Sequence, residues 1–166
     1  MSPIHPASKF GVVPVATAMQ TDGLTFLRNM ITQDYPAPPF AETSDIWLVM
    51  AEHGRVIFEA LPAHKFLNPL GAIHGGWIST LLDSAMGCAV HSLLKPGHSY
   101  TTVDMTVSFV RAVLPTTGKL TCEGKIIHSG SRIATSEGRV TDAAGKLIAH
   151  GTETCMILGA PVEGGV

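Results

Sequence analysis

One stretch sets the folding problem for this chain. From about Gly75 to Leu94, the residues Trp77, Ile78, Leu81, Leu82, Ala85, Met86, Ala89, Val90, Leu93 and Leu94 recur at helical spacing and leave almost no polar face. A helix that is apolar nearly all round must be wrapped on most of its sides. A bilayer would wrap it, but Gly75, Gly76, Ser79, Thr80, Asp83, Ser84 and Gly87 make its first half too polar for a span. The cover is therefore expected to come from the protein itself.

The remaining sequence supplies that cover as strands. Asp45 to Glu52 and Arg55 to Ala60 are short, rich in β-branched or aromatic residues, and separated by His53-Gly54, the pattern of a hairpin. Beyond the long helix come Thr101 to Val113, Lys119 to His128, Arg132 to Asp142 and Lys146 to Leu158, parted by turn signals at Pro115 with Gly118, Ser129-Gly130 and Ala144-Gly145. Asp22 to about Gln33 carries Leu24, Leu27, Met30 and Ile31 on one face, with Asp22 as its N-cap, and Pro36, Pro38 and Pro39 end it. The expected class is α+β, a curved antiparallel sheet around one long helix. Residues 1–44 are read as a loosely packed arm, 1–20, followed by the short helix. Residues 45–158 form the main domain and 159–166 a tail.

At 166 residues there is room for one domain with a full core. Hydrophobic residues make up 45% of the chain against 14% charged, and this excess calls for a partner subunit, an apolar ligand, or both. A formal net charge of -2 gives no electrostatic reason to approach nucleic acid or an anionic membrane, so neither is expected as a partner. Cys88, Cys122 and Cys155 are odd in number and form no CxxC pair, and the eight histidines are scattered, so neither a disulfide framework nor a metal site is indicated. The start Met1-Ser2-Pro3-Ile4-His5 lacks the pattern of a secretion signal; the expected location is the cytoplasm.

The chemistry is concentrated in the long helix. Between Lys65 and Lys95 the only formally charged side chain is Asp83, in the middle of the most apolar segment. Burying an unpaired carboxylate costs several kcal/mol, so the acid is either bonded locally, for instance to Ser79 or Thr80, or used. The lead-in Asn68-Pro69-Leu70-Gly71-Ala72-Ile73-His74-Gly75-Gly76 favours use. Two glycines at a helix start leave the first N–H groups sterically open, at the positive end of the helix dipole, where an anionic oxygen can sit. The expected arrangement has a thioester carbonyl oxygen on the Gly75 N–H and its carbon facing Asp83, along one helix.

Asn68, His74-Gly75-Gly76, Leu82-Asp83 and Gly87, then Thr102-Val103-Asp104-Met105 and Phe109-Val110-Arg111, closely resemble the hotdog-fold acyl-CoA thioesterases of the phenylacetate-degradation (PaaI-like) branch, over about residues 45–158. The resemblance implies a hotdog homodimer, often a dimer of dimers (a homotetramer), with active sites at subunit interfaces, coenzyme A thioesters as substrates and no cofactor. It implies Asp83 as base or nucleophile, the Gly75 N–H as oxyanion donor, Asn68 holding the carbonyl or ordering the loop, and His74 shaping the site. Thr102 would order the attacking water from the facing subunit. Gly76, Trp77, Met86 and Phe66 are expected around the acyl group, and Arg111 and Arg132 near coenzyme A phosphates. Two alternatives remain: a hotdog dehydratase or hydratase using His74 and Asp83, and a non-catalytic acyl-CoA sensor, which would have no need of Asp83. No G-x-S-x-G occurs, so a serine-hydrolase elbow is excluded.

Overall fold

The computed structural model describes residues 9–159. Its elements run α1 (Val15–Gln20), α2 (Gly23–Thr32), α3 (Pro39–Ser44), β1 (Ile46–Glu52), β2 (Arg55–Ala60), α4 (Gly75–His91), β3 (Ser99–Phe109), β4 (Leu120–Ser129), β5 (Ile133–Thr141) and β6 (Leu147–Leu158). The six strands form one antiparallel sheet in the order β1-β2-β4-β5-β6-β3. It curls around α4, the hotdog arrangement that the sequence implies.

The sheet can wrap the helix because of what lies between them. Leu81, Leu82, Ala85, Met86, Ala89 and Val90 of α4 are all 0% exposed, and burying each large side chain contributes roughly 1.5–3 kcal/mol. Close approach needs small residues on the strands: a Cβ at Gly124 of β4 would fall on the Ala85 carbonyl of α4. Register shifts at Leu48/Met50, Thr102/Asp104, Ile126/His128 and Val140/Thr141 are bulges, and each adds twist and bends the sheet further.

The two sheet edges are treated differently. The β1 edge is covered by α2 and α3 and by the segment before α1: Phe10 bridges to Ala37 and sets its ring edge-on to Trp47, with centroids 6.0 Å apart. Residues 9–20 are thus docked, where the sequence suggests a loose arm. The docking rests on the Phe10–Trp47 contact, on main-chain bonds that pair Lys9 and Gly11 with Ala37, and on the six-residue α1, all too short to give a periodic signal. The expected arm over residues 1–8 and the tail over residues 160–166 lie outside the described residues. The short helix α3, with Pro39 at its start, is likewise invisible to periodicity. Asp22 caps α2 as expected, its carboxylate accepting the Thr25 N–H at 3.0 Å, a bond that lowers its pKa. The other edge, β3, is open, and Val103 is 57% exposed and Phe109 54% exposed along it.

Candidate active site

The loop into α4 is built around Asn68. Its side-chain oxygen accepts the N–H groups of Leu70 at 2.9 Å and Ala72 at 3.2 Å, closing a turn in which Gly71 takes φ +82°. The Ile73 N–H to Val113 carbonyl bond and the His74 N–H to Phe66 carbonyl bond, each 2.8 Å, anchor the loop end. His74 is the N-cap of α4, and its Nδ1 accepts the Gly76 N–H at 2.9 Å. A neutral imidazole accepting at Nδ1 carries its proton on Nε2, so His74 presents a donor at its far edge. The Gly76 N–H is consumed by this cap. Among the described residues, the Gly75 N–H has no acceptor. Gly75 lies beside the Phe109 ring and opens into a groove that Asn68, Phe109 and Arg111 also line.

Asp83 faces a different hollow. It is half-buried on α4, at the mouth of an apolar cavity of about 220 Å³ lined by Met30, Phe40, Phe58, Cys88 and Tyr100, among others. Gly75 and Asp83 are eight residues apart on one straight element, about 12 Å along the axis. One carbonyl group cannot reach both. The expected alignment of oxyanion hole and acid along a single helix is therefore corrected: within one chain the two halves line separate hollows.

Thr102 corrects a second expectation. Its hydroxyl lies 3.3 Å from Asp83 Oδ1 of the same chain and 2.8 Å from Glu153 Oε1. Thr102 stands two residues after Tyr100 and opposite the buried Cys155 of β6, on the face of β3 that looks toward α4. Asp83 and Thr102 thus form one half-site together, rather than meeting from facing subunits.

Trp77 and Met86 do not line the apolar cavity. Trp77 donates Nε1–H to the Ser44 carbonyl at 2.7 Å and stacks on Phe66 at 5.0 Å, while Met86 is fully buried under Gly138. Both are core, because the apolar face of α4 that points at the sheet has no room for substrate. Arg111 and Arg132 are both exposed but sit at opposite ends of β6: the Arg111 N–H donates to the Ile148 carbonyl, and the Arg132 carbonyl accepts the Ile157 N–H. Nine residues of strand separate those anchors, about 30 Å. They cannot grip one phosphate from a single chain.

Burial tunes the remaining titratable groups. The Cys88 thiol is pushed up to about 12, first by burial and then by the Asp83 and Glu153 charges, and it stays a thiol. Tyr100 is raised well above its ordinary value, mainly by burial. Neither is an available nucleophile. Among the described residues no group of three or more His, Cys, Asp or Glu side chains is placed to hold a metal ion. No described helix is long and apolar enough to cross a membrane.

Comparison with known proteins decides the family. The thioesterase superfamily model matches residues 70–149, and human acyl-coenzyme A thioesterase 13 is 32% identical over 112 residues, 66% of this chain and 77% of that protein. The chain belongs to the thioesterase superfamily. It is a thioester hydrolase by that membership, and the PaaI-like resemblance is borne out. A phenylacetic acid degradation-related protein of Ralstonia eutropha JMP134 superposes with a TM-score of 0.72 at 26% identity, covering 79% of this chain and 98% of that one. A Streptococcus mutans protein solved with acetyl-CoA bound superposes with a TM-score of 0.63 at 27% identity, covering 69% of this chain and 90% of that one. The span matched by the family model holds the end of the loop into α4, α4 itself and β3 to β5, and it excludes both Asn68 and Glu153.

Glu153 is the residue that sequence reasoning missed. Ala149, Gly151, Glu153 and Cys155 alternate with His150, Thr152 and Thr154, so the acid falls on the inward face of an otherwise apolar or small-residue strand. Read at period two, that face is a signal as strong as Asp83 on its helix.

Proposed function

We propose that this thioesterase hydrolyses an aryl or medium-chain acyl-coenzyme A in a site completed by two copies of the chain, with Asp83 of one and Gly75 of the other at the reacting carbonyl. The observation that carries this reading is the 12 Å separation on α4 of two groups, each suited to one half of the reaction. A two-fold axis crossing α4 near Ser79 sets the helices antiparallel and brings each Gly75 level with the other Asp83. The open, apolar-sided β3 edge offers the surface for that pairing. A dimer of such dimers keeps the same sites.

In the paired site the thioester oxygen sits on the free Gly75 N–H at the positive end of α4, and the acyl group enters the apolar cavity beside Asp83. The Asp83 carboxylate either takes a proton from water as that water adds to the carbonyl carbon, or adds itself to form an acyl-enzyme anhydride that water then cleaves. Coenzyme A leaves as the thiol. Asn68 orders the loop that presents Gly75, and its free amide N–H₂ together with the His74 Nε2–H lines the groove for the thioester. Arg111, on the Gly75 side, is placed for a coenzyme A phosphate, and Arg132 contributes only if another subunit brings it near. A cavity of about 220 Å³ exceeds the roughly 150 Å³ that accommodates benzene, in keeping with an aromatic or medium-length acyl group. Three unpaired thiols suit a reducing cytoplasm.

The test is a hydrolysis screen of purified protein against aryl, short, medium and long acyl-CoAs, reading free thiol. Aryl and medium-chain substrates are expected to lead. Asp83→Asn is expected to lower kcat by about 10² to 10⁴-fold in a folded protein. Near wild-type turnover in that variant would remove Asp83 from the mechanism. Label found in the Asp83 side chain after a single turnover in ¹⁸O-water would establish the nucleophilic route, because a general base gains no oxygen.

A further inference from the structure

The Thr102 hydroxyl has one hydrogen and faces two carboxyl oxygens, Glu153 Oε1 at 2.8 Å and Asp83 Oδ1 at 3.3 Å. With both acids ionised, one of those contacts sets two acceptors against each other with no proton between them. One additional proton resolves the geometry. It belongs on Glu153, the more buried of the two acids: it is 1% exposed, and its Oε2 has no hydrogen-bond partner among the described residues. Asp83, by contrast, opens onto the cavity. A charged, unpaired carboxylate oxygen in that setting costs several kcal/mol, and protonation removes the charge.

We propose that Glu153 is a positioning residue for Asp83, acting as the donor end of a hydrogen-bond chain from the Glu153 Oε1–H to the Thr102 hydroxyl and from that hydroxyl to Asp83 Oδ1. The proposal rests on the reading of Asp83 as the reacting carboxylate. The chain holds Oδ1 from behind and leaves Oδ2 for water or substrate. It also keeps the pair of acids at a single negative charge, placed on the one that reacts. Alternation along β3 gives this hydroxyl its aim, since Thr102 shares a face with Tyr100 and lies opposite the buried Cys155.

The groups around Glu153 agree with this assignment. Asp83 and Cys88 face it from α4, Tyr100 and Thr102 from β3, and Cys155 from its own strand, where the Sγ–H donates to Oε1 at 2.9 Å. Ser136 of β5 is its register partner. No cation is paired with Glu153 among the described residues. Burial first, and the Asp83 charge as well, raise the Glu153 pKa, while the bonds from Cys155 and Thr102 lower it in part. Cys88 and Tyr100 are raised further and stay neutral, so neither supplies a charge to this cluster.

The experiment compares Glu153→Gln, which donates to Thr102 through its amide at every pH, with Glu153→Met, which keeps the volume and removes the donor. On the substrate that leads the screen, Gln is expected to stay within about twofold of wild type and Met to lose about tenfold in kcat with KM little changed. Wild type is expected to lose kcat on the alkaline side as Glu153 ionises and captures the Thr102 proton, and the Gln variant to lack that limb. In a Thr102→Val background, Glu153→Met should add no further loss. A Met variant as active as wild type, a Gln variant as impaired as Met, or additive losses would each overturn the proposal. Asp83→Asn, measured alongside, reports separately on the underlying reading. Carboxyl ¹³C shifts of Glu-labelled wild-type protein decide the proton's place independently of activity and of how any variant folds. Glu153 protonated at neutral pH, and perturbed by Thr102→Val, is the expected result, and an ionised Glu153 refutes the chain.

Discussion

Removing the Gly75 N–H tests the two-copy site with little structural disturbance. Gly75 is the first residue of α4, the helical position that tolerates proline best, and its N–H serves no bond among the described residues. His74 before it has φ -61° and ψ 133°, the extended conformation that a following proline requires. A Cβ at Gly75 would meet Phe109 Cζ at 3.2 Å, a half-exposed ring at the sheet edge that can give, and Gly75→Ala imposes the same contact while keeping the N–H. The comparison of Pro with Ala therefore isolates the donor together with the space around it. Loss of one oxyanion donor is expected to lower kcat by about 10² to 10³-fold, and Ala to cost less than about tenfold. The two chains are then mixed with subunit exchange confirmed by native mass spectrometry. Gly75→Pro with Asp83→Asn should recover about a quarter of wild-type activity, because half of the dimers are hybrids and each hybrid holds one intact site of two. Asp83→Asn mixed with Thr102→Ala should recover nothing, since Thr102 is bonded to Asp83 of its own chain. The Thr102 placement expected from sequence gives the reverse result for that second pair. No recovery in the Gly75/Asp83 hybrid, with exchange shown, would refute the shared site.

Three further outcomes concern stability. His91 is half-buried between Phe26 and Tyr100, with its Nε2 buried and unpaired among the described residues, and desolvation lowers its pKa from 6.5 to about 4. The unfolded chain therefore binds a proton that the native state refuses, and stability present above 6.5 is lost as pH falls toward 4. The loss amounts to roughly 3 kcal/mol at most, and urea titrations across that range should show it in wild type and not in His91→Gln. Glu153 works in the opposite sense: its pKa is raised, so stability falls as pH rises through its folded-state value, and Glu153→Gln should flatten that limb. Gly138→Ala would place a Cβ 2.9 Å from both Leu82 Cδ2 and Met86 Cγ. It should destabilise the protein by about 1–3 kcal/mol in thermal melts, and an unchanged Tm would show that the sheet has slack over α4.

The architecture was legible because local patterns and tertiary demand coincide. A helix apolar on all sides, a hairpin with its glycine turn and four alternating runs have few ways to be buried together, and the structure adopts the one expected, with β1 through β6 close to their anticipated positions. Asp83 and the Asn68-to-Gly76 lead-in were visible for a related reason: a lone acid in an apolar helix, and two glycines at its start, are costly unless they serve something. What remained hidden depends on three-dimensional proximity. Periodicity says which way a side chain points from its element, and not which other element it meets. Trp77 and Met86 look alike as pocket residues until Ser44 and Gly138 are found against them. Asp83 and Gly75 share a helix in sequence, yet the 1.5 Å rise per residue puts them about 12 Å apart and into separate hollows. Thr102 shares the inward face of β3 with Tyr100, and only the packing of that strand against α4 brings its hydroxyl to Asp83. Glu153 became a partner of both only when β6 paired with β3, a contact between residues 51 positions apart that no local reading contains.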